Sequence, residues 1–481
     1  MRVDLLGQTG TADAEEISYQ LTQNWYPHIE PEGKSKLALL PTPGLTEFAN
    51  TNNGVIRGQI NYNGIFYVVS GNGFYEINSS GTHVNRGTLK TSSGRCMLAH
   101  NGANNGQQIA IADGLHFYIW DSSGLDFKVI TDSGDPDYDA DCPAGPTHVI
   151  FIDGFFLIND PANSGRFYKS ASYDGTAWDA TEFATAEQVS DELNAIIASN
   201  SQIIYLIGET STETWVNSGA TDFPFEPAQS GYIPYGTIAP YSPAELDGIV
   251  FWLTQSESGQ GLVVMASGYD AKIISTPAIT SEIADLSTLD DAYGWTYQYK
   301  QHAFYVLTFP SGGKTFVYDV TTGKWHQWAS KTLNYHRSAA HTFVYNKHLV
   351  GDPASGKVYY LDWSKWTDNG DTITRIRRSA HIHGEDKPVR HYALYAETRM
   401  GVGNSDITDP QIMMRYRDSN GAWSNERSRS LGKVGEKDKK AVWRQLGRSV
   451  DRVYELKVTD PCDAVLLDCY LRIDIDSREL E

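Results

Sequence analysis

A glycine-bearing turn recurs seven times along this chain, each time after an apolar alternating run and before an aromatic or aliphatic one. The clearest copy runs from Phe316 to Trp328. Phe316, Tyr318 and Val320 alternate toward one face, Thr-Thr-Gly reverses the chain, and Trp325 and Trp328 begin the return strand. The other turn glycines are Gly81, Gly124, Gly175, Gly219, Gly268 and, less regularly, Gly370, at spacings of 43, 51, 44, 49, 55 and 47 residues with Gly323 in sequence. A second hairpin precedes each turn, as in NYNGIFYVV, FIDGFFLI and AELDGIVFWL. Each unit therefore has four strands.

Four antiparallel strands repeating at this period are the signature of β-propeller blades, whose faces are buried only against their neighbours. The chain is predicted to be all-β, with about seven four-stranded blades over residues 55–382. Six blades plus a linking sheet is the alternative, because the last unit is irregular. A short helix is expected inside residues 183–196, where FATAEQVSDELNAI interrupts the β pattern.

The 481 residues leave two flanks. Residues 1–54 are punctuated by Pro27, Pro31, Pro41 and Pro43 and read as an extended arm packing on the C-terminal domain or on a neighbour. Its anchors are Trp25 and Tyr26, and deletion of residues 20–45 is expected to spare the propeller's own fold while weakening incorporation into the assembly. Residues 383–481 change to strand-like runs separated by Gly, Asn, Asp and Pro turns, which suits a small antiparallel β-sandwich serving as a docking platform.

Charge divides the chain unevenly. Residues 371–481 hold 20 Lys and Arg against 19 Asp and Glu, leaving 19 against 40 for residues 1–370 of a chain at −20. Such acidity disfavours an electrostatic grip on nucleic acid, although it permits a duplex to pass. The local basic excess of Arg415, Arg417, Arg427, Arg429, Lys437, Lys439 and Lys440 is the candidate protein interface.

Motifs that imitate chemistry fail on mechanism. GDPASGKV has Val358 where a phosphate loop needs a hydroxyl, and a strand follows instead of a helix. The acidic run over residues 132–141 lacks the glycine and glutamate of a calcium loop. His381, His383 and His391 have no evident third ligand, and the four scattered cysteines form no zinc pair. No catalytic residue, cofactor or metal site is expected. MRVDLLGQTG carries no signal core and no long apolar run follows, so the chain is expected to fold in a cytoplasm without spanning a membrane.

Long strings carry a resemblance. GETSTETWVNSGATDFPFEP, SGYIPYGTIAPYSPAELDGIVFWL, FYVLTFPSGGKTFVYDVTTGKWHQW and DPQIMMRYRDSNGAWSNERSRSLGKVGE resemble the packaged-DNA stabilisation, or head-completion tail hub, proteins of short-tailed bacteriophages. The resemblance implies a non-enzymatic virion protein assembled in the host bacterial cytoplasm. It implies a homo-hexameric nozzle below the portal and its adaptor, retaining packaged DNA and carrying the tail needle or plug and the fibres or spikes. Double-stranded DNA would pass through non-specifically. The alternative, a carbohydrate-binding or glycan-cleaving tail propeller, requires clustered aromatics and paired carboxylates on one rim.

Overall fold

A computed structural model of the chain describes residues 1–33, 36–186, 192–200, 202–221, 223–255, 261–385, 387–419, 421–437 and 440–475. Four-stranded antiparallel sheets begin at Ile56–Tyr62, Met97–His100, Val149–Ile152, Leu193–Ala198, Ala244–Leu246 and Tyr293–Tyr299, and each takes its remaining strands in chain order. These are six sequence-continuous blades. The irregular last unit is a composite sheet, in which His341–Val344, Lys347–Gly351 and Lys357–Asp362 are completed by Gly44–Asn50 from the other end of the chain. First strands touch in series, and the strand at His341–Val344 touches the one at Ile56–Tyr62, so the ring closes.

Packing follows from alternation. A blade buried on both faces needs apolar residues at odd and even positions, and its middle strands supply them. Tyr67 and Phe74 of the first blade meet Trp120 of the second; Phe251 of the fifth meets Tyr305 and Trp325 of the sixth; Val358 of the composite sheet meets Phe66 and Val68 of the first. Trp325 is fully buried, and its indole N–H donates to the Ile274 carbonyl at 2.9 Å.

Turns carry the register. Gly323 sits at φ 64°, where a Cβ is strained, and Asp319 organises the same turn by accepting from the Thr321 amide at 3.0 Å and the Thr322 hydroxyl at 2.8 Å. Gly175 serves differently. A Cβ there would lie 2.5 Å from the Ile119 side chain, so the glycine answers to close blade packing.

Residues 1–50, read from sequence as an extended arm, instead contain six strands shared between two bodies. Arg2–Asp4 and Leu37–Pro41 pair with Leu466–Ile475, and Tyr19–Gln23 bridges the sixth blade to Arg375–Arg378. The sixth blade thereby runs on into a sheet of eleven strands that includes Asp451–Val458, Gln411–Asp418 and Arg427–Ser430. A second sheet, containing Trp25–Ile29, Leu37–Pro41, Leu466–Ile475, Val389–Thr398 and Ala441–Arg444, completes the sandwich. Leu394, Trp443, Leu471, Met414 and Leu456 fill the space between the two sheets.

The helix expected within residues 183–196 is not there among the described residues. Phe183–Thr185 and Leu193–Ala198 are strands, and residues 187–191 lie outside the described set. An α-helix occupies Pro277–Ala284, where Thr276 caps the Ile279 amide and proline opens the first turn.

Candidate interaction surfaces

Trp25 and Tyr26 are neighbours on one strand and so point to opposite faces. Trp25 is 1% exposed, lies in the sandwich core and donates its indole N–H to the Ala464 carbonyl at 2.7 Å. Tyr26 enters the core between the sixth blade and the composite sheet, edge-on to His302 and Phe304 at centroid distances of 5.1 and 5.5 Å. The pair rivets the two bodies of its own chain together. Neither ring remains on the surface for another subunit.

The expected basic patch is largely spent internally. Arg415 donates through Nε to Glu455 at 2.7 Å, and Arg378 reaches the other oxygen of the same buried carboxylate at 2.8 Å. Arg417 pairs with Glu15 at 2.8 Å and lies over the Tyr19 ring at 4.4 Å. Arg427 and Arg429 donate to the Arg444 and Val442 carbonyls, each at 2.9 Å, lacing one strand of the first sheet to one of the second. Lys437 and Lys440 are exposed, while Lys439 lies outside the described residues.

A different set of arginines faces outward. Arg390, Arg444, Arg448 and Arg472 line an open groove of about 870 Å³ on the outer face of the second sandwich sheet, with Tyr392 and Tyr395 among them. Among the described residues no carboxylate lines it, although Asp474 sits opposite Arg390 across the strand pair. Arg472 stands over Tyr395 at 5.0 Å, Tyr395 stacks on Tyr470 at 4.9 Å, and Arg2 covers Tyr470 at 4.2 Å. The signal available in sequence was alternation within each strand, but the four arginines come from four strands spread over residues 390–472.

The remaining chemistry-bearing residues have structural work. His381 faces Asp451 at 2.8 Å, and His391 bonds Ser449 at 2.8 Å and Tyr454 at 3.0 Å. Asp132 and Asp137 of the acidic loop pair with Lys90 and Lys128 at 2.8 and 3.2 Å. Among the described residues no group of three or more His, Cys, Asp or Glu is placed to hold a metal ion. All four cysteines are buried free thiols, and burial pushes Cys96 and Cys462 up to about 12. No helix among the described residues is long and apolar enough to cross a membrane.

Among solved structures, the chain is similar to YCF48 bound to D1 peptide, at 11% identity and a TM-score of 0.40, covering 67% of this chain and 97% of that one. It is also similar to the N-terminal domain of Nup159, at 9% identity and 0.42 over 72% and 99%, and to the extracellular domain of the putative one-component system BT4673 from B. thetaiotaomicron, at 10% and 0.41 over 92% and 62%. Overlaps this loose carry no functional argument. No curated protein matches the chain. Two family descriptions do, and they meet near the place where blade strands give way to sandwich strands: the β-propeller of bacteriophage P22 Gp10 over residues 1–365 and its β-sandwich over residues 375–474. With both halves matched in order, the chain belongs to the bacteriophage P22 Gp10 family, structural phage proteins that stabilise packaged DNA.

Proposed function

We propose that the protein is the hub, or nozzle, of a short tail: a homo-hexamer below the portal and its adaptor that closes the filled capsid, conducts DNA on ejection, and carries the needle or plug and the fibres or spikes. The observation that carries this reading is the eleven-stranded sheet joining propeller to sandwich, in a chain matched to the phage family along its length. A continuous sheet transmits load through backbone hydrogen bonds, which suits a part that holds back pressurised DNA. In this reading the residues 1–54, 55–382 and 383–481 act as fastening segment, body and docking platform.

The arginine–tyrosine groove is the surface through which the platform meets an acidic neighbour. Arginine and tyrosine are the residue types that interfaces favour, and residues 1–370 of an adjacent copy, with 40 acidic against 19 basic residues, offer a complementary surface. Acidity of the propeller also fits a wall past which DNA slides without sticking, since each Lys or Arg contact with phosphate adds affinity. The glycan reading is weaker: among the described residues no carboxylate lines the cavity on the propeller axis.

Electron microscopy of the purified protein, alone and mixed with its portal complex, tests the proposal. Rings with a central hole are expected, and the double variant Arg444→Glu, Arg472→Glu should leave monodisperse, folded single copies. Isolated discs from the unaltered protein under all conditions, or rings that survive the charge reversal, would each remove one part of the reading.

A further inference from the structure

The first strands of all the blades surround a cavity of about 320 Å³ on the propeller axis, its wall running from Gln59 in the first blade to His341 in the composite sheet. Its electrostatics run against the rest of the body. Residues 1–370 carry more than twice as many acids as bases, yet among the described residues no Asp or Glu lines this space, whereas Arg57 and Arg95 both do.

The two arginines differ in what they have left to give. Arg57 commits all five N–H groups to the protein: Nε to Gly94, Nη1 to Gly71 and Thr91, and Nη2 to Ser93 and the Thr91 hydroxyl, at 2.6 to 3.0 Å. Among the described residues Arg95 makes one hydrogen bond, from Nη2 to the Ala339 carbonyl. Its guanidinium lies over the Tyr293 ring at 4.0 Å and 5.8 Å from that of Tyr241. Among the described residues no carboxylate comes within ion-pair distance of it. The other titratable groups on the wall do not supply a counter-charge: burial pushes His148 down to about 4 and His341 to about 3, so both rings are neutral near pH 7.

We propose that the axial cavity is a binding site for a small oxyanion, a phosphate or carboxylate group received by the uncommitted N–H edge of Arg95. A guanidinium stacked on an aromatic face keeps its in-plane donors available, and that planar fork matches two oxygens of one anion. Desolvation lowers the pKa of Arg95, and an anion in the cavity relieves that cost.

Calorimetric titration of the full chain at constant ionic strength in chloride, with inorganic phosphate in one arm and citrate in the other, tests the site. One-site saturable binding is expected in at least one arm, and the tighter arm names the class. Arg95→Gln should weaken it by about tenfold or more, with Arg95→Lys in between. Absence of saturable heat from either ion up to about 20 mM, or an Arg95→Gln variant that binds as the parent does, overturns the proposal. Should Arg95→Gln fail to fold, phosphorus NMR on the unaltered protein decides: phosphate line broadening displaced by citrate supports the site, and unbroadened lines sink it.

Discussion

Arg375 and Arg377 stand two residues apart on one strand, share a face, and are both buried, yet only one is accommodated. Arg377 donates to the Leu5 and Gln8 carbonyls at 2.8 and 3.0 Å and to Thr22 and Gln20 at 2.9 Å each. Arg375 is fully buried with no partner among the described residues for Nε, Nη1 or Nη2, and its guanidinium lies 5.8 Å from the Trp366 ring. Burial lowers both, Arg375 to about 10 and Arg377 to about 9, so both remain charged at pH 7. A buried charge without acceptors opposes folding, and an apolar side chain of similar length removes that cost. Arg375→Met is therefore expected to be neutral or to stabilise by about 1–4 kcal/mol, whereas Arg377→Met strands several acceptors and should destabilise by about 2 kcal/mol or more. Urea melts with unchanged slope measure both, and a larger loss for Arg375→Met than for Arg377→Met would contradict the assignment.

At the scale of elements, the strand Gly44–Asn50 decides whether the ring is closed. It pairs with Lys357–Asp362 from Asn50 opposite Lys357 to Gly44 opposite Asp362, so without it the composite sheet ends on a bare edge. The deletion of residues 20–45, expected from sequence to spare the propeller, would take only Gly44 and Leu45 from this strand, whereas a longer cut removes all of it. Deleting residues 1–50 should lower the melting temperature and expose an aggregation-prone edge, while deleting residues 1–4 removes only the strand on Leu466–Ile475 and should leave propeller melting intact. Differential scanning calorimetry with size-exclusion chromatography reads both, and a monodisperse, parent-like melt from the longer deletion would count against ring closure by this strand. The same contrast explains what sequence could reveal. Hairpins such as the one around Gly323 are written locally, in an Asp, a glycine and flanking alternation, so the six continuous blades were legible. Gly44–Asn50 finds its partner some 310 residues away, and prolines beside it read only as extended chain. FATAEQVSDELNAI has helical composition, but its described ends are drawn into the third and fourth blades, where pairing overrides propensity. The Thr276–Pro277 start signal of the true helix was present and brief. Counting charges located a basic region, yet only the folded register separates Arg427, spent on a carbonyl, from Arg444, which faces the groove.

The whole molecule carries an acidic surface around a set of buried neutral imidazoles, and the two respond oppositely to acid. Toward the sequence pI of about 5.0, the net charge of −20 shrinks and self-repulsion eases. That gain is spread over exposed, screened groups and is small for each. His148, His326, His336 and His391 are all buried, and burial pushes them down to about 4, 3, 3 and 4. His326 is the extreme case: neither ring nitrogen has a partner among the described residues, and Tyr26, Phe304 and Trp328 surround it. Once unfolded, each imidazole takes a proton near pH 6.5, so below that point the unfolded chain binds more protons than the folded one and stability falls with pH. The loss continues until the folded-state values are reached. Each ring contributes at most about 1.4 kcal/mol per pH unit, and four together at most about 5–6, which outweighs the relief of surface repulsion and rivals the net stability of a typical domain. The protein is accordingly expected to keep its melting temperature from pH 8 to about 6.5 and to lose it steeply between about 6 and 4.5, before most carboxylates titrate. Calorimetry across that range at fixed salt checks this, and replacing His326 with Phe, a ring that cannot take up a proton in either state, should make the fall shallower. A melting temperature that holds flat to pH 4.5 would show that these imidazoles are not kept neutral by the fold.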